Sequence, residues 1–264
     1  MRAAFSLVEL SIVLVILGLL TGGILGGQSL IRAAELRSVA TEYSRYVTAV
    51  QTFRDKYFAV PGDMPNATQF WGDDNAACPD GATPNGSPGT CNGNGDGFIG
   101  TPTANGVTGE MYQNWKQMAL AGLIEGTYTG IADTVGACST GKGVVVGTNA
   151  PRSRLSNAGW SLEYFGHPGD ASTYTLAESN LFFMGGQVSG CPPINDVFKP
   201  EELWNIDTKL DDGKPGRGKI MARSQSSWGT ATSCALSASS TDYNADYRLS
   251  NSAIACSMLA PRAI

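Results

Sequence analysis

Histidine occurs once in 264 residues, at His167, and none of the six cysteines stands in a C-x-x-C pair. A structural zinc site draws four ligands from such pairs and from histidine, so zinc does not account for the cysteines. Charge is scarce as well. Lys and Arg number 18 against 23 Asp and Glu, charged residues make up 16% of the chain, and the formal net charge is −5. A nucleic-acid-binding face is basic, so no nucleic-acid partner is expected. The patterns G-x-S-x-G and H-E-x-x-H are absent, which removes the nucleophile elbow and the zinc-hydrolase helix. Residues 136–142 fit G-x-x-x-x-G-K, but Gly143 stands where Ser or Thr would hold magnesium. His167 precedes Pro168-Gly169-Asp170, a loop setting. The chain reads as a non-enzyme.

A conventional secretory signal is missing too. Such a signal places basic residues first, then an apolar core, then a small-residue cleavage site. Here Arg2 is the one basic residue ahead of the apolar run, the small pair Ala3-Ala4 comes before it, and Gln28-Ser29-Leu30 continue a helical pattern after Gly27. Residues 5–27 carry a single charge, Glu9. Roughly 20 apolar residues cross a bilayer core as one helix. A carboxylate inside that core costs about 2.5–3.5 kcal/mol at its centre and less near an end, so Glu9 implies a partner. The helix N-terminus itself favours negative charge there.

Phe5-Ser6-Leu7-Val8-Glu9-Leu10 followed by an apolar helix resembles the processing and methylation segment of type IV pilins and type II secretion pseudopilins. In that family Gly usually precedes the cut, where this chain has Ala4. The resemblance implies that prepilin peptidase cuts between Ala4 and Phe5, that the new Phe5 amine is methylated, and that Glu9 pairs with a neighbouring subunit's N-terminal amine during assembly. It implies an α+β, pilin-like fold: a leader over residues 1–4, an N-terminal helix over 5–60 that is first a membrane anchor and then a filament spine, and a disulfide-bonded, loop-rich antiparallel β head over 61–264. The expected partners are further pilin-like subunits and the inner-membrane assembly machinery. The expected location is a single-pass inner-membrane state followed by a periplasmic or cell-surface filament. The alternative is a membrane-anchored, calcium-dependent binding module that does not polymerise.

Apolar residues recur at helical spacing beyond Gly27: Leu36, Val39, Tyr43, Tyr46, Val50, Phe53 and Tyr57 form one stripe, with Arg37, Glu42, Arg45, Gln51 and Asp55 mostly elsewhere. A helix over residues 5–56 is expected, ended by Pro61-Gly62-Asp63. Short helices are expected over 110–121 and from Pro200, and strands over 144–147, 160–165, 173–176 and 181–184. The Ser/Ala-rich tail from Ser224 is read as a loop held by a disulfide. Cys78, Cys91, Cys138, Cys191, Cys234 and Cys256 all follow the apolar segment. An even set on the exported side points to disulfides. The spacings suggest Cys78 with Cys91 and Cys234 with Cys256, leaving Cys138 with Cys191.

Asn92-Gly93-Asn94-Gly95-Asp96-Gly97-Phe98-Ile99 matches the first part of a calcium loop, with oxygen donors at alternate positions, Gly at the sharp turn and a carbonyl next. The candidate Ca2+ ligands are Asn92, Asn94, Asp96 and the Phe98 carbonyl. Thr103 cannot supply the closing bidentate carboxylate, and Glu110 is expected to replace it by folding back. Similar pilin-like chains carry such a loop ahead of a helix that begins with Glu and contains Trp. The competing reading is a Gly/Asn hairpin, with Glu110 complementing its own helix dipole after a Thr108 cap. Asp207, Asp211 and Asp212 offer a second acidic set, for which termination of a helix at Asp212-Gly213 is the preferred reading over a second calcium.

Overall fold

The computed structural model describes residues 7–73, 89–100, 109–132, 143–167, 174–189, 191–223, 233–237 and 239–261. It opens with α1, a single helix of 51 residues, Leu7–Tyr57. No proline interrupts it, and its polar residues are accommodated by the helix itself: Ser11 Oγ donates to the Val8 carbonyl at 2.9 Å and Thr21 Oγ1 to the Leu17 carbonyl at 2.9 Å. The two halves of α1 meet different surroundings. Leu7, Leu19 and Leu30 are more than two-thirds exposed, whereas Val39, Tyr46, Val50 and Phe53 are fully buried. The first half is long and apolar enough to cross a membrane.

Among the described residues three short helices follow: α2 (Thr68–Trp71), α3 (Glu110–Leu120) and α4 (Pro200–Leu210). In α4 proline occupies the first turn, where its missing N–H costs nothing, and Glu202 reaches back to accept the Lys199 N–H at 2.9 Å. The strands β1 (Ala158–His167), β2 (Leu176–Gly186), β3 (Met221–Arg223) and β4 (Ser257–Pro261) form one antiparallel sheet in the order β1-β2-β4-β3. The register pairs Trp160 with Met184, and Phe182 with Ala260.

Side chains alternate across this sheet, as the two-residue period of a strand requires. Phe182, Met184 and Met258 join Trp160 and Leu162 on one face, where they pack with the second half of α1, with Trp115 and Met118 of α3 and with Leu203 and Ile206 of α4. Tyr46 lies at the centre, its ring 5.1 Å from that of Trp115 and 5.5 Å from that of Trp160. Leu181, Phe183 and Leu259 point to the other face and pack with Tyr174, Cys191, Ile194 and Met221. Both faces of the sheet are therefore dry.

Arg32 and Glu42 tie α1 to the rest through polar contacts. Arg32 donates to Glu202 at 2.6 Å and to the Val197 carbonyl at 2.7 Å. Glu42, expected off the buried stripe, is in fact buried, and its carboxylate accepts from Ser153 Oγ, the Arg154 N–H and Trp160 Nε1 at 2.7–2.8 Å. Cys234 and Cys256 form a disulfide. Cys91 and Cys191 are also disulfide-bonded, and the pairings read for them, with Cys78 and with Cys138, lie outside the described residues.

The strand expectations need correction. Residues 144–147 make only an isolated bridge, Val146 to Ala150, and of the described residues in 173–176 only Leu176 is in a strand, as the first residue of β2, which also contains 181–184. The tail is not only a loop. Directly after Cys256 it enters the sheet as β4, between β2 and β3.

Candidate functional site

Glu9 lies in the first turn of the described helix and is exposed, as are its apolar neighbours Val8, Leu10, Ile12 and Val13. The processing pair, Ala4 and Phe5, lies outside the described residues. So do Cys78, Cys138, Thr103, Thr108 and the whole G-x-x-x-x-G-K match.

The second site is built where α1 ends. Pro61 and Gly62 turn the chain sharply, Gly62 with a φ of 89°. A side chain at Gly62 would meet the Glu110 carbonyl at 2.4 Å, and one at Gly93 would meet the Asp63 backbone at 2.3 Å. Only glycine permits these approaches, and together they set Asp63, the 93–97 loop and the start of α3 against one another. Buried amides of α3 hold the arrangement. Gln117 accepts the Gly62 N–H at 2.7 Å and donates to the Cys91 carbonyl at 3.0 Å, Gln113 accepts from Thr90 at 2.9 Å, and Asn114 donates to the Leu162 carbonyl at 2.8 Å.

Three carboxylates converge here: Asp63, Asp96 and Glu110 each offer an oxygen within 4.8 Å of the others. Asp63 is buried, Glu110 half-buried and Asp96 exposed. Asp63 accepts the backbone N–H groups of Gly95, Asp96 and Gly97 at 2.6–3.2 Å. Glu110 accepts those of Asn94 at 3.0 Å and Gly100 at 2.6 Å. Asn94 packs onto Asp96, donating to its carboxylate at 2.8 Å and accepting its N–H at 3.0 Å. Burial, with the charges of Asp63 and Asp96 adding, pushes the Glu110 carboxyl up to about 7 even though two backbone N–H groups favour its charged form. A divalent cation would relieve that repulsion. Each carboxylate oxygen has two lone pairs, so acceptance of an N–H leaves coordinating capacity, and hard oxygen donors suit calcium.

The sequence-based ligand set is thus regrouped. Asn94, Asp96 and Glu110 come together. Asn92 goes elsewhere, its side-chain oxygen accepting the Thr68 N–H at 2.9 Å at the start of α2. The Phe98 N–H donates to Asp96 at 2.8 Å, while its ring lies 4.4 Å from that of Tyr164. In the sequence Asp63 stands out only as part of the helix stop Pro61-Gly62-Asp63. Its one available signal was its place in Val60-Pro61-Gly62-Asp63, a turn that brings an acidic residue back toward whatever packs on the helix end.

Asp207, Asp211 and Asp212 also bring carboxylate oxygens within 4.8 Å of one another. Here the protein supplies a cation itself, Arg217 donating to Asp212 at 2.8 Å, while Asp207 accepts from Tyr247 Oη at 2.9 Å and the Gly213 N–H at 3.2 Å, and Asp211 from the Lys219 N–H. They end α4 and fasten the loop behind it. Compared with known proteins, the chain matches no family model, no curated protein and no solved structure.

Proposed function

We propose that this chain is a structural subunit of a type IV pilus or a type II secretion pseudopilus-like filament. The observation that carries the reading is α1: one unbroken helix whose first half is apolar, exposed and marked by Glu9, and whose second half is the core of the folded head. A helix built this way suits two surroundings in turn. It anchors the subunit in the bilayer before assembly and lies among the helices of its neighbours afterwards. On this reading the leader is removed between Ala4 and Phe5, Phe5 is methylated, and the Phe5 ammonium of one subunit pairs with Glu9 of the next. Contacts of this heterologous kind do not close on themselves and generate a helical polymer. The role is structural, not catalytic.

Ca2+ belongs to the same proposal as a structural ion. Asp63, Asp96 and Glu110 would hold it with Asn94 beside them, and its contribution would be to fasten the 92–100 loop onto the ends of α1 and α3.

Glu9→Ala tests the filament reading against the anchored, non-polymerising module. In a lone anchor the substitution removes a costly charge and leaves insertion normal or improved. In a filament it leaves a neighbour's ammonium buried and unpaired, a loss of about 3–5 kcal/mol. The expected result is normal cleavage and insertion with the subunit absent or scarce in sheared filaments. Wild-type filament yield would remove the support for assembly through Glu9.

A further inference from the structure

One side of the second half of α1 is covered by the head, through Val39, Tyr46, Val50 and Phe53. The opposite side is bare. Arg37, Thr41, Ser44, Thr48 and Asp55 follow one another there at helical spacing, and all five are exposed. The hydroxyls between the two charges are already satisfied by the helix: Thr41 Oγ1 donates to the Arg37 carbonyl at 3.3 Å, Ser44 Oγ to the Ala40 carbonyl at 3.0 Å and Thr48 Oγ1 to the Ser44 carbonyl at 2.8 Å. A second helix can therefore approach without stranding a donor. What such a helix meets at either end of the face is a charge, positive at Arg37 and negative at Asp55.

Neither charge is used by the chain that carries it. Among the described residues no hydrogen bond or ion pair engages the side chain of Arg37 or Asp55, whereas Arg32 pairs with Glu202 at 2.6 Å, Arg45 with Glu125 at 3.8 Å, and Lys56 lies 5.0 Å from the Tyr57 ring centre. Arg54, likewise unengaged, stands about 100° round the helix from Asp55 and does not share the face. Arg37 and Asp55 cannot meet within one chain, because the helix between them rises about 27 Å. That rise is about five turns at roughly 3.6 residues each, so both side chains leave the helix on the same side. In a helical spine with the heads outside, the face of α1 opposite its own head turns toward the α1 helices of other copies, and a charge carried into such a bundle requires a partner of opposite sign. We propose that two parallel copies of α1 pack through this face with an axial offset of about 27 Å, Asp55 of one copy pairing with Arg37 of the other. This contact rests on the filament reading and deepens it. Its offset is far larger than the rise of about 6 Å from Phe5 to Glu9, so it joins a different pair of neighbours. Each copy gives its Arg37 to one neighbour and its Asp55 to another, which continues the polymer in both directions.

Charge reversal tests the pair, with the full chain as the sole copy in its native host and filament yield measured in sheared fractions. Arg37→Asp and Asp55→Arg each set like charges against one another and should lower the yield about tenfold or more. The double variant, Arg37→Asp with Asp55→Arg, restores the attraction with its sign exchanged and should return the yield to near that of wild type. Arg54→Asp, off the face, should assemble normally. In detergent the single variants should keep the wild-type thermal midpoint, since neither side chain is engaged within its own chain, and this separates lost assembly from lost folding. The proposal is overturned if either single reversal assembles as wild type, if the double variant stays as poor as the singles, or if Arg54→Asp lowers the yield as much. Loss of filaments in Glu9→Ala beside full yield in Arg37→Asp removes this contact and keeps the assembly reading. A wild-type chain that forms no filaments removes both.

Discussion

Phe58 and Asn157 are the two non-glycine residues with positive φ among those described. Asn tolerates the left-handed conformation and a bulky aromatic does not. Phe58→Gly should therefore stabilise the fold by about 1 kcal/mol, read as a rise in the thermal midpoint, and a fall would mean that the exposed ring contributes to folding after all. Glu42 works in the opposite sense. Glu42→Ala would strand Trp160 Nε1, Ser153 Oγ and the Arg154 N–H in the interior, so a loss on the order of 3 kcal/mol is expected in denaturant unfolding. Glu42→Gln should lose less than half of that, because its carbonyl keeps an acceptor in place. Asp207 sets a pH dependence. Burial raises its carboxyl from 3.8 to about 7, with Asp212 and Asp211 adding to the shift and Tyr247 and the Gly213 N–H opposing it. The folded state then holds the proton more tightly than the unfolded chain, so this group's contribution is most favourable below the unfolded value and declines as pH rises from about 4 to about 7. Glu110 titrates in the same direction. The informative quantity is the difference between wild type and Asp207→Asn: the variant should show a flatter decline over this window, and an identical profile would remove Asp207 as a source.

The 92–100 segment forms no helix or strand, and its order comes from side chains that catch its backbone. Asp63 collects three N–H groups and Glu110 two, while Asn180 accepts the Ile99 N–H at 2.8 Å and donates to the Gly97 carbonyl at 2.9 Å. The carboxylates therefore differ in what their removal does. Asp96→Ala takes an exposed oxygen pair from the cluster and little from the fold, so it should leave the calcium-free thermal midpoint near wild type while abolishing the rise produced by calcium. Asp63→Ala should lower the calcium-free midpoint itself. A wild-type midpoint that is the same with calcium and with a chelator would leave the loop as a hairpin without a cation.

The molecule divides along α1 rather than between domains. The described residues up to Ile31 make no core, whereas Val39 to Phe53 supply the centre of the main one. A chain beginning at Arg32 should remain folded and become soluble without detergent, with an unchanged near-ultraviolet signal from the packed aromatics; one beginning at Phe58 should lose that signal, because Trp115, Trp160 and Phe182 would lose Tyr46 and Phe53. A soluble, native-like fragment from Phe58 onward would contradict this assignment of the core. By itself the sequence was enough for what repeats with a fixed period or stands next to its partner: the 51-residue helix, its apolar first half, its buried stripe, the starts of α3 at Glu110 and α4 at Pro200, and the Cys234–Cys256 bridge. Contacts between distant segments had no such local sign. Ser257-Met258-Leu259-Ala260 has little β-branched character, and it is a strand because β2 and β3 offer it hydrogen bonds on both sides. Glu42 is polar by composition and buried because Ser153, Arg154 and Trp160 arrive from the far side of the chain with donors to satisfy it. Asp63 joins Asp96 and Glu110, and Asn92 leaves them, because two glycines let the end of α1 and the loop approach more closely than side chains would permit. A local pattern records how a segment prefers to fold; which buried group meets which donor is decided only when the segments close on one another.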